Sequence, residues 1–245
     1  VKGSSVKRLF LLLLLMLGEL LIRFGGGAGT TIVSLLDAAL ILTPLLGLVV
    51  GTMQAHHSRD VTELFLAQPV ARGPLFTALY LGHSVPLALA LVVGILAPFA
   101  WHGLISTQVL AVAGVAALLA MISSAVAHLI AVRIDDRVRA LATALGVWIT
   151  AAVVWDGLVL LIAMQFGHRP IETPLLAMLA VNPLDLGRLL ILLGTDAAAL
   201  LGYTGAVLER TLGTATGRGA VVAALACWTV LPLLAARRAF THKDF

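Results

Sequence analysis

The chain has 245 residues, 60% of them hydrophobic and only 11% charged, with a mean hydropathy of +1.07. Soluble domains carry roughly 25% charged residues, so this composition excludes a water-soluble fold and makes lipid the natural solvent. The net charge of +4 does not argue for nucleic acid, because Lys and Arg sit at the ends of apolar runs and form no stripe with interleaved aromatics.

Six apolar runs approach the length of about 20 residues that crosses a bilayer as a helix. They fall at residues 10–24, 32–53, 77–101, 108–132, 141–166 and 220–236. The first follows Lys2, Lys7 and Arg8 as a signal peptide would, but glycines succeed it and further spans come after, so we expect an uncleaved helix. It is short for a crossing, and its helix is expected to extend back to Val6 or forward into the glycines.

Between the second and third runs, His56, His57, Arg59, Asp60 and Glu63 mix with Val61, Leu64, Phe65 and Leu66. The apolar residues recur at helical spacing, which predicts a short amphipathic helix over residues 60–68, lying at the membrane surface. It should stop at Pro69 and turn at Gly73-Pro74. The long connection at residues 167–219 holds two apolar stretches too short to span, 175–181 and 189–193, separated by Asn182-Pro183-Leu184-Asp185. We expect short helices against the outer ends of the bundle, with Asp185 near a helix N-terminus.

Positive side chains are retained on the cytoplasmic side of a bilayer. With the N-terminus inside, most Lys and Arg fall in inner segments, from Lys2, Lys7 and Arg8 through Arg59, Arg72, Arg133, Arg137 and Arg139 to Arg237, Arg238 and Lys243. Both termini are therefore expected in the cytoplasm.

Glu19, Asp37 and Asp156 fall within predicted spans, where carboxylates are costly and face a protein interior or a cavity. They could line a substrate path. Alternatively, Glu19 pairs with Arg23 one turn away and Asp37 lies near the interface. Seven histidines raise a metal site, but His56 and His57 point to different helix faces and the others occupy separate elements, without Cys partners. No HExxH, GxSxG or GxxxxGK[ST] pattern occurs, so neither hydrolase chemistry nor ATP binding is indicated. Gly82, Gly94, Gly114 and Gly146 are expected to let helices approach closely. Cys227, the one cysteine, is expected to be a small packing residue.

The run from Arg59 to Arg72, RDVTELFLAQPVAR, resembles the coupling segment of type-2 ABC transporter permeases. In the C-terminal half, NPLDLGR at 182–188, LLGYTGAV at 200–207 and the ending FTHKDF resemble the permease subunit of the ABC transporter that serves nitrous oxide reductase maturation. The similarity runs from about Leu45 to the end.

The resemblance implies one transmembrane domain over residues 1–245. Its fold would be an all-α integral membrane protein of the bacterial inner membrane: six transmembrane helices, a cytoplasmic coupling helix between the second and third, and short outer helices between the fifth and sixth. It implies a homodimer, two copies of a cytoplasmic ATPase that carry the ATP and Mg, and a periplasmic β-helical partner. No cofactor would reside in this chain. The cargo would be a sulfur species for a copper-sulfur cluster. By the same resemblance Asp60, Glu63, Leu64, Phe65, Gln68, Pro69 and Arg72 form the ATPase contact. Glu63 and Arg72 would pair with its charges, Phe65 would fill its groove and Pro69 would end the helix. Asn182, Asp185, Arg188 and Tyr203 are the candidates for periplasmic docking. The family's interfacial helix before the first span is largely lacking, so a start upstream of Val1 is expected. Two other readings stay open: a drug- or lipid-exporting permease of the same superfamily, and an ion-coupled secondary transporter without a motor.

Overall fold

The computed structural model describes residues 11, 15–20, 22, 28–166, 172–192 and 214–243. Most of the first predicted span, Arg23 and Tyr203 lie outside the described residues. The helices are α1 (Ala28–His57), α2 (Arg59–Leu66), α3 (Arg72–Trp101), α4 (Thr107–Arg133) and α5 (Arg137–Ile149), which runs through a π turn (Thr150–Val154) into α6 (Trp155–Phe166). Then come α7 (Glu172–Val181), α8 (Pro183–Leu192) and α9 (Ala215–Thr241). Among the described residues there is no strand.

Five of these helices are long and apolar enough to cross a membrane: Asp37–His57, Arg72–Trp101, Thr107–Arg133, Arg137–Phe166 and Thr216–Thr241. They match the second to sixth predicted runs. Most extend a few residues past the apolar stretch, because the backbone ladder continues where hydrocarbon ends. Of the first run, residues 15–20 are helical, and Gly18 lies so close to α3 that an added Cβ would stand 2.8 Å from Pro98 Cγ.

The centre of the bundle is α4. It has no charged residue before Arg133 and is apolar all round, which suits a helix enclosed by others. Val109, Val112, Val115, Leu119 and Ile122 pack with Leu35 and Leu40 of α1, Ile95 and Phe99 of α3, Leu186 and Leu189 of α8, and Val221 and Leu225 of α9. Ser106 caps its N-terminus by accepting from the Val109 amide. Asp136 does the same for α5, accepting from Arg139 N at 2.7 Å.

Of the four glycines expected at close approaches, Gly94 is buried in α3, and three do not approach a neighbour. Around Gly82, Gly114 and Gly146 the chain leaves open space, whereas a Cβ on Gly47 would stand 2.8 Å from Ser123 Cβ and one on Gly51 2.7 Å from Ala127 Cβ. Those two let α1 lie against α4. A third, Gly187, brings α8 within 2.8 Å of Val115 Cγ1 on the same basis. Cys227 is exposed on α9 and not packed inside. Gly73-Pro74 are the first turn of α3 and not a separate turn. A proline costs nothing there, since the first-turn amides have no helical acceptor.

Candidate functional site

Two constellations sit at opposite halves of the bundle. At one end, α1 breaks at Ser58 and α2 begins at once. Thr62 faces inward, buried, with its hydroxyl donating to Ser58 O at 2.7 Å. The opposite face is open: Val61, Leu64 and Phe65 are 52%, 66% and 43% exposed, and Glu63 lies beside them. The helix ends at Leu66, two residues short of the predicted end, because Pro69 bars Gln68 from helical dihedrals. Gln68 and Pro69 are exposed. Asp60 lies within α2, its side chain outside the described residues.

Arginines hold the start of this helix and the start of the next. Arg59 donates to Ala131 O at 2.7 Å, Ile134 O at 3.2 Å and Asp135 O at 3.1 Å, and forms an ion pair with Asp135 Oδ1 at 3.1 Å. These carbonyls close α4, where the helix leaves acceptors unmatched and its dipole favours a cation. Beyond the helix, Arg72 donates to Thr241 O at 3.1 Å and Lys243 O at 2.8 Å, the corresponding end of α9. Arg72 thus has partners inside the chain, which sequence reasoning gave to an ATPase. Lys243 Nζ reaches back to Val132 O and Asp135 Oδ1. The Lys243 and Arg59 cations hold the Asp135 carboxyl below its usual range.

In the other half, Asn182 is the N-cap of α8: its Oδ1 accepts from Leu184 N at 3.2 Å, with Pro183 in the first helical position. Its Nδ2 donates to Ala151 O at 2.8 Å, inside the π turn, and to Asp185 Oδ2 at 3.0 Å. Arg188 Nη1 lies 3.5 Å from Asp156 Oδ2 and 3.7 Å from Asp185 Oδ1. Burial, then the neighbouring Asp156 charge, pushes the Asp185 carboxyl up to about 6, against the pull of Arg188 and Asn182. Of the residues expected to dock a periplasmic protein, Asn182 and Asp185 are buried and bonded within the chain, and Arg188 is half-buried. Beside them an apolar cavity of about 530 Å³ is lined by Leu119, Trp148, Trp155, Leu184 and Trp228.

The three carboxylates expected within spans occupy separate settings. Glu19 meets His102 at 3.2 Å by the C-terminus of α3, Asp37 is exposed on α1, and Asp156 faces Arg188.

No protein-family model matches the chain. It is 30% identical over 226 residues to the probable ABC transporter permease protein NosY of Pseudomonas aeruginosa, covering 87% of this chain and 80% of that one. A second NosY, from Stutzerimonas stutzeri, is 30% identical over 180 residues, covering 69% of this chain and 65% of its own. The chain belongs to the NosY-like ABC transporter permeases. It is a multi-pass membrane protein and a transport subunit rather than an enzyme, and ABC permeases work with an ATPase subunit.

Within this permease one cluster escaped sequence reasoning. His83 of α3 and His128 of α4, assigned to unconnected elements, have ring centroids 5.9 Å apart, both buried. Tyr80 stands edge-on to His128 at 5.7 Å and donates to Met121 O at 3.1 Å. Gly51 faces His83 from α1. The signal was available: His83 and His128 are both polar residues inside apolar runs. Their sequence separation hid the meeting.

Proposed function

We propose that α2 is the coupling helix of an ATP-driven transporter and that its open face, Glu63, Leu64 and Phe65, seats in a groove of the ATPase. The observation that carries this reading is the combination of an apolar face left uncovered by the described residues with an arginine at the start of the helix and another at the head of α3, which fasten the segment between them to the bundle. A helix held in this way moves the spans when it is pushed. In this arrangement both termini lie in the cytoplasm, the protein sits in the bacterial inner membrane as a homodimer, and the ATPase supplies ATP and Mg. The cargo is a sulfur species used to build the copper-sulfur cluster of periplasmic nitrous oxide reductase. Arg188 and the segment around Tyr203 meet a periplasmic β-helical protein, and Asp156 lines the cargo path.

The kinship to NosY permeases supports this assignment, as do the motifs at 182–188 and 200–207. Co-expression with the ATPase subunit of a NosY-type transporter tests the motor contact: the two should co-purify, and Phe65→Ala or Glu63→Arg should abolish this with the permease still in the membrane. Retention of the ATPase by both variants would refute it. Cells lacking the permease should make a reductase without its copper-sulfur absorption; a fully loaded reductase would refute the cargo.

A further inference from the structure

The two arginine clamps on α2 are not independent. Arg59 ties the start of the helix to the last carbonyls of α4, and Arg72 ties the segment after it to the last carbonyls of α9. The two anchorages meet where α4 and α9 end, joined there by Lys243 Nζ donating to Val132 O at 2.7 Å and, side chain to side chain, by Asp135. Its Oδ1 accepts from Arg59 Nη1 on one side and from Lys243 Nζ on the other, while Lys243 offers its own carbonyl to Arg72. The bonds close a ring that runs from Arg59 through Asp135 and Lys243 to Arg72 and back along α2.

We propose that Asp135 is the positioning residue of the coupling apparatus: it locks the Arg59 and Arg72 clamps into one unit, so that α2 and the inner ends of α4 and α9 are displaced together. The transmission role rests on the reading of α2 as the coupling helix; the ring itself does not. An exposed ion pair contributes little to stability, and Asp135 is 72% exposed, so folding is a poor explanation for two cations converging on it. Geometry is the better one. A carboxylate that accepts from both removes the freedom of each long side chain to follow its own helix. Its neighbour Asp136 turns away to cap α5 and takes no part in the ring, which makes it the natural control.

Nitroxide labels on cysteines replacing Ala67 at the C-cap of α2 and Arg238 in α9, both exposed, in a Cys227→Ser background, report whether the two move as one. Pulsed electron resonance on the solubilised permease alone, the labelled chain diluted with an excess of unlabelled chain so that only distances within one protomer are read, should give one narrow distance. Asp135→Ala and Lys243→Gln should each lose it to a broad distribution, Asp135→Glu should restore it, and Asp136→Asn should leave it narrow. A distribution as narrow in Asp135→Ala as in the parent overturns the proposal whatever α2 binds. In the complex with the ATPase, adding a non-hydrolysable ATP analogue should shift the distance in Asp135→Ala but not in the parent, with the ATPase still bound to both. An equal shift in both overturns the transmission role. Loss of ring order in the isolated permease without any nucleotide effect in the complex, alongside ATPase binding that survives Phe65→Ala, would instead mean that the ring stands and α2 is not the motor contact.

Discussion

Asn182 Nδ2 donates to the carbonyl of Ala151 across 2.8 Å, so the junction between α7 and α8 is fastened to the π turn that separates α5 from α6. A π turn widens the helix and loosens its own ladder, and such turns recur at functional places. The same side chain caps α8 and holds Asp185.

Asn182→Ala should therefore lower the stability of the purified permease by about 1–3 kcal/mol, the cost of leaving buried partners unmatched. Thermal unfolding in detergent measures it. Asn182→Asp, which keeps the capping oxygen but sets a second carboxylate beside Asp185, should rescue little.

Asp185 gives a pH dependence. Its carboxyl is raised to about 6, by burial first and by Asp156 second, from the ordinary value near 4 of the unfolded chain. Between about pH 4 and pH 6 the folded chain thus holds more protons than the unfolded one, so stability falls as pH rises through that window. Asp185→Asn should flatten the decline while keeping an acceptor for Asn182. Midpoints of unfolding collected from pH 4 to 7 decide this, and an unchanged slope would count against it.

Gly47 and Gly82 should behave oppositely. A methyl group on Gly47 meets Ser123, whose hydroxyl is already committed to Leu119 O and Ala120 O. Gly47→Ala should cost about 1–3 kcal/mol through overpacking. Gly82→Ala adds its methyl to open space and should be neutral or slightly favourable, since alanine is the better helix former.

Leu64 is the most exposed apolar side chain of α2. Leu64→Asp should change the stability of the isolated permease by no more than about 0.5 kcal/mol and yet remove the ATPase from pull-downs. A variant that unfolds instead would show that the face is covered by the chain itself.

Much of the fold was legible from the chain because apolar length and helical spacing are local signals. Val61, Leu64 and Phe65 gave α2, and the apolar runs gave the five long helices. What stayed hidden depends on contacts between distant residues. Nothing local marks Gly47 as a crossing point and Gly82 as open, for the difference lies in where Ser123 stands. Asn182 and Asp185 read as surface groups because polar residues between short helices usually are; the π turn that absorbs Asn182 has no sequence mark. Arg72 read as a charge for a partner because the carbonyls it satisfies belong to residues 241 and 243.

The enclosure of α4 carries a mechanical consequence. A close-packed interior transmits displacement instead of absorbing it, and every neighbour of α4 rests on its shaft. It is placed as an axle: a displacement of its end at Arg59 cannot leave α1, α3, α8 or α9 behind without opening voids along the shaft. Under the coupling proposed above, a small stroke applied at that rim would carry those helices together, while the span over residues 137–166, which adds nothing to that core, could lag.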